Sequence, residues 1–443
     1  MAVSPDTIAI SSNTIFALSS APGRAGVSVF RVSGPEADGV LARLTTSPLP
    51  SPRVAATRKL VRNGELIDLA LVVRMPGPGS FTGEDVVEVM VHGSPAVVEA
   101  VAGAMLQLGA RQAQPGEFTR RAFLNGRMDL MEAEGLADLI DADTEAQRAQ
   151  AVRQMEGGLS ERAEGWKEAL LDALAQVEGE IDFPDEADVP DRLGREAGPG
   201  LMELARELRD ALAGFGRGER VREGLRIAVI GAPNAGKSSF INWLAGREAA
   251  IVSDVPGTTR DVVEVQLVLA GLPVRVADTA GLRESADVVE VEGVRRARVA
   301  AEEADIRVLV MNGSAPGDEG REAVRERDLV LWNKMDLVPC PGDAMAVSVK
   351  TGEGLEEVLA WLEREVAARF SPGRSAGLTR ARHRDCVVRG LAAVERALAR
   401  LSDAPELAGE DLRAALLAIE ELSGRADMDA VLDRVFSRFC IGK

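Results

Sequence analysis

The segment Gly231-Ala-Pro-Asn-Ala-Gly-Lys237-Ser238 has the residue types and spacing of a loop that wraps a polyphosphate. Successive backbone N–H groups and the start of a following helix can cradle phosphate oxygens there. Asn234, Ala235, Gly236, Lys237, Ser238 and Ser239 are the candidate contacts. Lys237 would reach the β- and γ-phosphates and the Ser238 hydroxyl would bind magnesium. Three more segments follow in order, each behind a short apolar run. Asp278-Thr-Ala-Gly281 brings Asp278, Thr279, Ala280 and Gly281 to a strand end, where an acid can hold magnesium through water and a glycine N–H can meet the γ-phosphate. Asn333-Lys334-Met-Asp336 places a carboxylate where it can accept both hydrogens of the guanine N1 and 2-amino edge, which adenine does not offer. Ser348-Val349-Lys350 closes another short strand and can supply a backbone N–H to guanine O6. Together these imply a GTP site.

Such loops need strands to carry them. The run 225–230 reads as a strand entering the phosphate loop and 239–244 as the helix leaving it, and strands and helices alternate through 216–378 as in a parallel α/β sheet. Residues 1–116 mix short β-branched runs at 27–32, 66–73 and 86–91 with a helical pattern over 95–108, a small α+β domain. Helical periodicity then covers 122–140, 144–154, 159–181 and 201–215, broken by an acidic, proline-bearing loop at 182–190, and resumes over 379–443. The simplest architecture is a multidomain α/β plus α protein: an N-terminal α+β domain, a discontinuous all-helical domain over 117–215 and 379–443, and an inserted P-loop, Ras-like GTPase domain.

Length and composition suit two or three globular domains: 443 residues, of which 46% are hydrophobic and 28% charged. No apolar run approaches a membrane span and residues 1–6 lack a secretion pattern, so a cytoplasmic protein without membrane contact is expected. Cys340, Cys386 and Cys440 are too scattered for a disulfide framework or zinc site. The net charge of −18 argues against coating nucleic acid by bulk attraction. Most of that excess lies in 117–215, with 24 acidic against 11 basic groups, while 1–116 and 379–443 are balanced. Arg380, Arg382 and Arg384 read either as a local RNA patch or as a solvated helix face.

Several motifs go beyond those shared by GTPases: Ala21-Pro-Gly-Arg-Ala-Gly26, Ser80-Phe-Thr-Gly-Glu-Asp85, Pro115-Gly-Glu-Phe-Thr-Arg-Arg-Ala-Phe-Leu-Asn125, Pro256-Gly-Thr-Thr-Arg-Asp261, Asp278-Thr-Ala-Gly-Leu-Arg-Glu284 and Cys440-Ile-Gly-Lys443. With them the whole chain resembles the MnmE (TrmE) family of tRNA uridine-modification GTPases. The resemblance implies a homodimer formed through a folate-binding N-terminal domain, and work with an FAD-containing, MnmG-like partner in a heterotetramer. Together they would install an aminomethyl-type group at carbon 5 of the wobble uridine of certain tRNAs. The one-carbon unit would come from 5-formyl- or 5,10-methylene-tetrahydrofolate.

By the same resemblance, Glu290 polarises the attacking water, since Leu282 stands where Ras-like enzymes place a glutamine. Asn234, Ser253, Val255 and Thr258 would hold potassium, offsetting charge that develops between the β- and γ-phosphates. Thr259 would complete the magnesium shell beside Ser238, and Lys237, Thr259 and Glu290 form the catalytic set. Arg260 reads as a local partner of Asp261. Arg31, Glu88, Arg127 and Lys443 would bind the folate, with Arg127 in place of the lysine common in the family. Ser94 stands where the family more often has glycine. A different reading, a GTP-dependent ribosome-assembly factor, shares all the nucleotide motifs; it predicts a basic accessory domain, and neither flank is net basic.

Overall fold

A computed structural model describes residues 14–182, 193–247, 264–278, 299–314, 320–338, 345–370, 377–424, 429–437, 439 and 442. The chain divides into two compact units, residues 1–137, 160–167 and 416–443 in one, and residues 138–159 and 168–415 in the other.

In the first unit, β1 (Ile15–Leu18), β2 (Ala25–Ser33), β3 (Ala56–Arg62), β4 (Glu65–Met75), β5 (Val86–Gly93) and β6 (Arg111–Gln112) form one sheet in the order β3-β4-β5-β2-β1-β6. All neighbours are antiparallel except the parallel pair β1 and β6. Strand alternation sorts the faces. Phe30, Val32, Val87, Val89 and Val91 bury against helices Ala37–Leu44 and Pro95–Gln107, which supply Val40, Leu41, Val101 and Met105. The alternate positions Arg31, Glu88 and Met90 share the opposite face with Leu69 and Leu71, which are 54% and 40% exposed. Ser94 serves as N-cap of Pro95–Gln107, its hydroxyl accepting the Val97 N–H at 3.2 Å, a role glycine lacks.

The same unit holds helices Glu117–Leu124 and Leu130–Ala137, the latter the start of Leu130–Ile140. The expected continuous helix over 122–140 is therefore two helices, parted at Gly126 with φ 66°. Helix Asp429–Phe436 returns to them. Leu432, Phe436 and Phe439 pack on Leu130, Ala133 and Phe123, and Arg120 pairs with Asp433 at 2.9 Å. A side chain at Gly116 would place Cβ 2.3 Å from the Phe436 carbonyl oxygen, so only glycine admits this approach. Further on, the Gly442 carbonyl accepts the Ser19 hydroxyl at 3.1 Å, and a Cβ there would sit 2.4 Å from the Leu18 oxygen, which places Gly442 at the end of β1.

In the second unit, β7 (Leu225–Ile230), β8 (Glu264–Leu269), β9 (Leu272–Asp278), β10 (Ile306–Asn312), β11 (Leu329–Asn333) and β12 (Met345–Val347) form a sheet in the order β12-β11-β10-β7-β9-β8. The expected parallel sheet holds for five strands; β8 pairs antiparallel with β9 as an edge hairpin. Helices Lys237–Ala245 and Leu355–Phe370 contribute Phe240, Ile241, Leu244, Val358 and Leu362 to its core. Helix Leu193–Glu223 is longer than the 201–215 periodicity, running almost directly into β7. Helix Glu145–Met155 opens with a capping box between Thr144 and Gln147.

Glu117, at the start of its helix, is 3% exposed. Burial pushes its carboxyl up, but hydrogen bonds from Arg111, the Gln114 N–H and Arg121 outweigh it and hold the group below its ordinary value of 4.5. A carboxyl depressed in the folded state contributes stability above its unfolded pKa and loses it as pH falls through the folded value. We therefore expect Glu117→Gln to lower the melting temperature at pH 7 and to narrow its gap from wild type below about pH 4.5. Melting curves that stay parallel through that range would contradict this.

Candidate functional site

Strand order turns at β7, with β10 on one side and β9 on the other, so a crevice opens beyond its carboxyl end. The segment 231–236 fills that position. Gly231 (φ 136°), Asn234 (φ 58°) and Gly236 (φ 106°) are all left-handed, which bends the backbone into a loop. The glycines are also required by space. A Cβ at Gly231 would lie 2.2 Å from the Val310 oxygen, and one at Gly236 2.1 Å from Asn333 Nδ2. Helix Lys237–Ala245 begins directly after, so the N–H groups of its first turn and the loop amides converge on one spot, an arrangement suited to phosphate. Lys237 is 6% exposed, and its Nζ donates to the Gly231 and Ala232 carbonyls at 2.7 and 2.8 Å. A buried ammonium is thus satisfied within the loop itself.

Asn333, at the end of β11 and 5% exposed, joins the loops. Its Nδ2 donates to the Ala235 carbonyl at 2.8 Å, while its Oδ1 accepts the Lys334 and Val349 N–H groups at 2.8 and 3.1 Å. Lys334 has φ 72°, a conformation costing a non-glycine residue about 1 kcal/mol or more, and the Asn333 hydrogen bond helps hold it. Ser348 is fully buried; its hydroxyl donates to Asp336 Oδ1 at 2.8 Å and accepts the Thr351 N–H at 3.2 Å. The Asp336 carboxylate is thereby oriented. Because Val349 spends its N–H on Asn333, Lys350 is the next backbone donor of that segment.

The structure therefore brings together Asn234, Ala235, Gly236, Lys237, Ser238 and Ser239 with Asn333, Lys334, Asp336, Ser348, Val349 and Lys350. The β9 backbone reaches Asp278 alongside Val229, one residue before the end of β7. Ser253, Val255, Thr258, Thr259, Thr279, Ala280, Gly281, Leu282, Glu290 and Lys443 lie outside the described residues, as do Arg260, Asp261, Cys340 and Cys440.

A second candidate site lies on the open face of the first unit's sheet. Arg31 and Glu88 face each other across β2 and β5, with Arg31 Nη2 and Nε donating to Glu88 Oε1 at 2.8 and 3.1 Å. The Arg31 guanidinium lies 5.2 Å from the Phe81 ring centre and 5.9 Å from that of Phe118. The Arg127 side chain flanks Gly83, where a Cβ would come within 3.3 Å of its Cγ. Leu18, beside Gly442, is the register partner of Phe30, one residue from Arg31. Arg31, Glu88, the 81–83 turn, Arg127 and Gly442 thus gather at one sheet region. Phe81 and Phe118 escaped the sequence reading, although both stand in motifs singled out for other reasons.

Of the three arginines, Arg380 pairs with Asp138 at 2.6 Å, while Arg384 is exposed with its guanidinium 5.2 Å from the Phe215 ring centre. Cys386 is a buried thiol outside any disulfide, accepting from Arg389 Nη2 at 3.6 Å. Among the described residues there is no helix long and apolar enough to cross a membrane.

The fold and the loops at its strand ends define a P-loop GTPase carried with a helical domain and an N-terminal α+β domain. Residues 130–440 match the family described as the MnmE helical domain, and residues 14–127 match the GTP-binding protein TrmE N-terminus. The tRNA modification GTPase MnmE of Maricaulis maris is 52% identical, with 97% of this chain and 99% of the relative covered. That of Caulobacter vibrioides is 51% identical over 97% of this chain and 100% of its own length. The chain belongs to the MnmE family of tRNA modification GTPases, and it is a GTP-hydrolysing enzyme. This decides against the ribosome-assembly alternative.

Gly231→Ala should cost nucleotide affinity through both its left-handed φ and the clash with the Val310 oxygen, about 3 kcal/mol or roughly 100-fold in Kd. Calorimetric titration with GDP would show it, and an unchanged Kd would contradict the close approach.

Proposed function

We propose that GTP hydrolysis in the second unit drives wobble-uridine modification of tRNA for which the first unit supplies a folate-borne one-carbon unit. An MnmG-like FAD protein would act as partner in adding the aminomethyl or carboxymethylaminomethyl group at carbon 5. The observation that carries this reading is the Arg31–Glu88 pair, with the Phe81 and Phe118 rings near the Arg31 guanidinium and Arg127 and Gly442 in the same sheet region. A carboxylate can accept two hydrogens from the aminopyrimidine edge of a pterin, and arginine and lysine suit its carbonyl or the glutamate tail. Glu88, Arg31, Arg127 and Lys443 take these parts. 5-formyl- or 5,10-methylene-tetrahydrofolate would carry the one-carbon unit. The exposed Leu69 and Leu71 on the same face support homodimerisation through this sheet.

For the nucleotide, segment 234–239 holds the phosphates, Asp336 the guanine edge and Lys350 the guanine carbonyl, with Asp278, Thr279, Ala280 and Gly281 at the γ-phosphate. Ser238 and Thr259 suit magnesium, as hydroxyl oxygens on a hard cation. Asn234, exposed at its left-handed turn, offers an amide oxygen of the kind potassium takes, with Ser253, Val255 and Thr258 completing the set. Bound there, the cation supplies positive charge where the transferred phosphoryl group becomes more negative. Lys237 adds a fixed charge and Glu290 orients water. The domains are read as 1–116, 117–215 with 379–443, and 216–378, in a cytoplasmic enzyme.

Titration of the full chain with 5-formyl-tetrahydrofolate should show saturable binding that weakens at least tenfold when Cys440-Ile-Gly-Lys443 is deleted, the scale of losing one charge-assisted contact. No binding by wild type, or binding indifferent to the deletion, contradicts the pocket. GTP turnover should be faster in potassium than in sodium, and Asn234→Ala should abolish that difference. Glu290→Ala should slow turnover by ~10²-fold with nucleotide affinity kept. Equal rates in both salts would remove Asn234 from the mechanism.

A further inference from the structure

Near the Arg31 site runs a chain of charged groups, buried at Arg121 and Glu117 and partly exposed at Glu84 and Arg111, that no binding role accounts for. Arg121, 2% exposed, donates through Nη1 to Glu84 Oε2 at 2.9 Å and through Nη2 to Glu117 Oε1 at 3.0 Å. Glu117 is closed on its other side by Arg111 at 2.6 and 3.0 Å and by the Gln114 N–H at 2.9 Å. Glu84 accepts the Ser33 hydroxyl at 2.8 Å; Ser33 in turn meets the fully buried Thr82 hydroxyl at 2.7 Å, and Asn125 Nδ2 donates to the Thr82 carbonyl at 2.7 Å.

Stability alone is a weak reason for such a chain, because desolvating ions offsets most of their attraction and apolar packing of equal volume commonly does as well. Its geometry is more telling. Glu84 closes the turn that carries Phe81 and Gly83, and Glu117 opens the helix that carries Phe118. Arg121 bridges the two carboxylates. The two rings near the Arg31 guanidinium therefore belong to two backbone segments that Arg121 joins through a carboxylate of each, with the Asn125–Thr82 hydrogen bond as a second tie.

We propose that Arg121 is a positioning residue for the pterin pocket: by bridging Glu84 and Glu117 it fixes the separation of Phe81 and Phe118, and so the placement of Arg31 for its ligand. This deepens the folate reading above and rests on it. The ligand class is a flat, reduced pterin bearing an anionic group. A guanidinium suits the bridge because it reaches two carboxylates with separate nitrogens, which a single ammonium does less well.

The test is calorimetry of full-length protein with 5-formyl-tetrahydrofolate, with GTP turnover and melting temperature measured on the same samples. Arg121→Met should weaken binding by roughly 30- to 100-fold, the cost of about 1 Å of misplacement, with GTP turnover within about twofold of wild type. Arg121→Lys should recover part of the loss. Glu84→Gln keeps the Ser33 hydrogen bond and should fold even if Arg121→Met does not; it should weaken binding by about tenfold. Wild-type affinity in Glu84→Gln, or in Arg121→Met whatever its melting temperature, overturns the proposal while leaving the folate reading intact. A wild-type chain that binds no folate overturns the folate reading and this proposal with it.

Discussion

The nucleotide site depends on the side-chain amide of Asn333. One buried group satisfies a carbonyl of the phosphate loop, at Ala235, and two N–H groups of the base-reading segments, at Lys334 and Val349. The Ala235 partner lies 98 residues from Asn333 along the chain, Lys334 is its neighbour and Val349 is 16 residues on, and each partner is a backbone group that folding withdraws from water. Leaving any of them unmade costs roughly 1–3 kcal/mol, so the three loops are coupled by more than their attachment to a common sheet. The glycines complete the constraint. Gly236 has no side chain because Asn333 Nδ2 occupies that space, and Gly231 has none because the β10 backbone does. The phosphate loop and the segments proposed to read the base are therefore held by one arrangement of polar atoms.

The first unit uses the same logic with charge in place of an amide. Buried polar groups tie separate segments together, and glycines permit the closest approaches, as at Gly116 against Phe436 and at Gly442 against β1. Their common result is that residues from distant parts of the sequence, Arg31, Glu88, Arg127 and Gly442, gather at one region of a sheet whose opposite face packs against helices. A preorganised face of this kind loses little freedom on taking up a ligand, the condition under which a few polar contacts yield useful affinity.

Much of this was legible in the residues themselves. The strand Leu225–Ile230 is found where expected, because an apolar run followed by a glycine-rich turn leaves few alternatives. The base-reading segments likewise sit at the ends of β11 and β12. Short or polar strands such as β3 and β6, Ala56–Arg62 and Arg111–Gln112, carry too little alternation to be seen without their partners. The break at Gly126 was masked by helix-forming residues on both sides, and helix Leu193–Glu223 extends through Pro199 and several glycines that locally argue against it. Glu84, Glu117 and Arg121 read as surface charges because burial is a tertiary property. Only their mutual distances show that they compensate one another. The arginine at 380 illustrates the converse, since a residue that reads as part of a basic patch is paired with an acid.

The coupling through Asn333 is measured most directly by hydrogen exchange on Asn333→Ala, compared with wild type in the absence of nucleotide. Amides of 231–238 and of 348–352 should both exchange faster, together and to a similar degree, while the strands β7 and β10 keep their protection. Faster exchange confined to 348–352, with the phosphate loop unchanged, would show that the loops are set independently and would contradict the account.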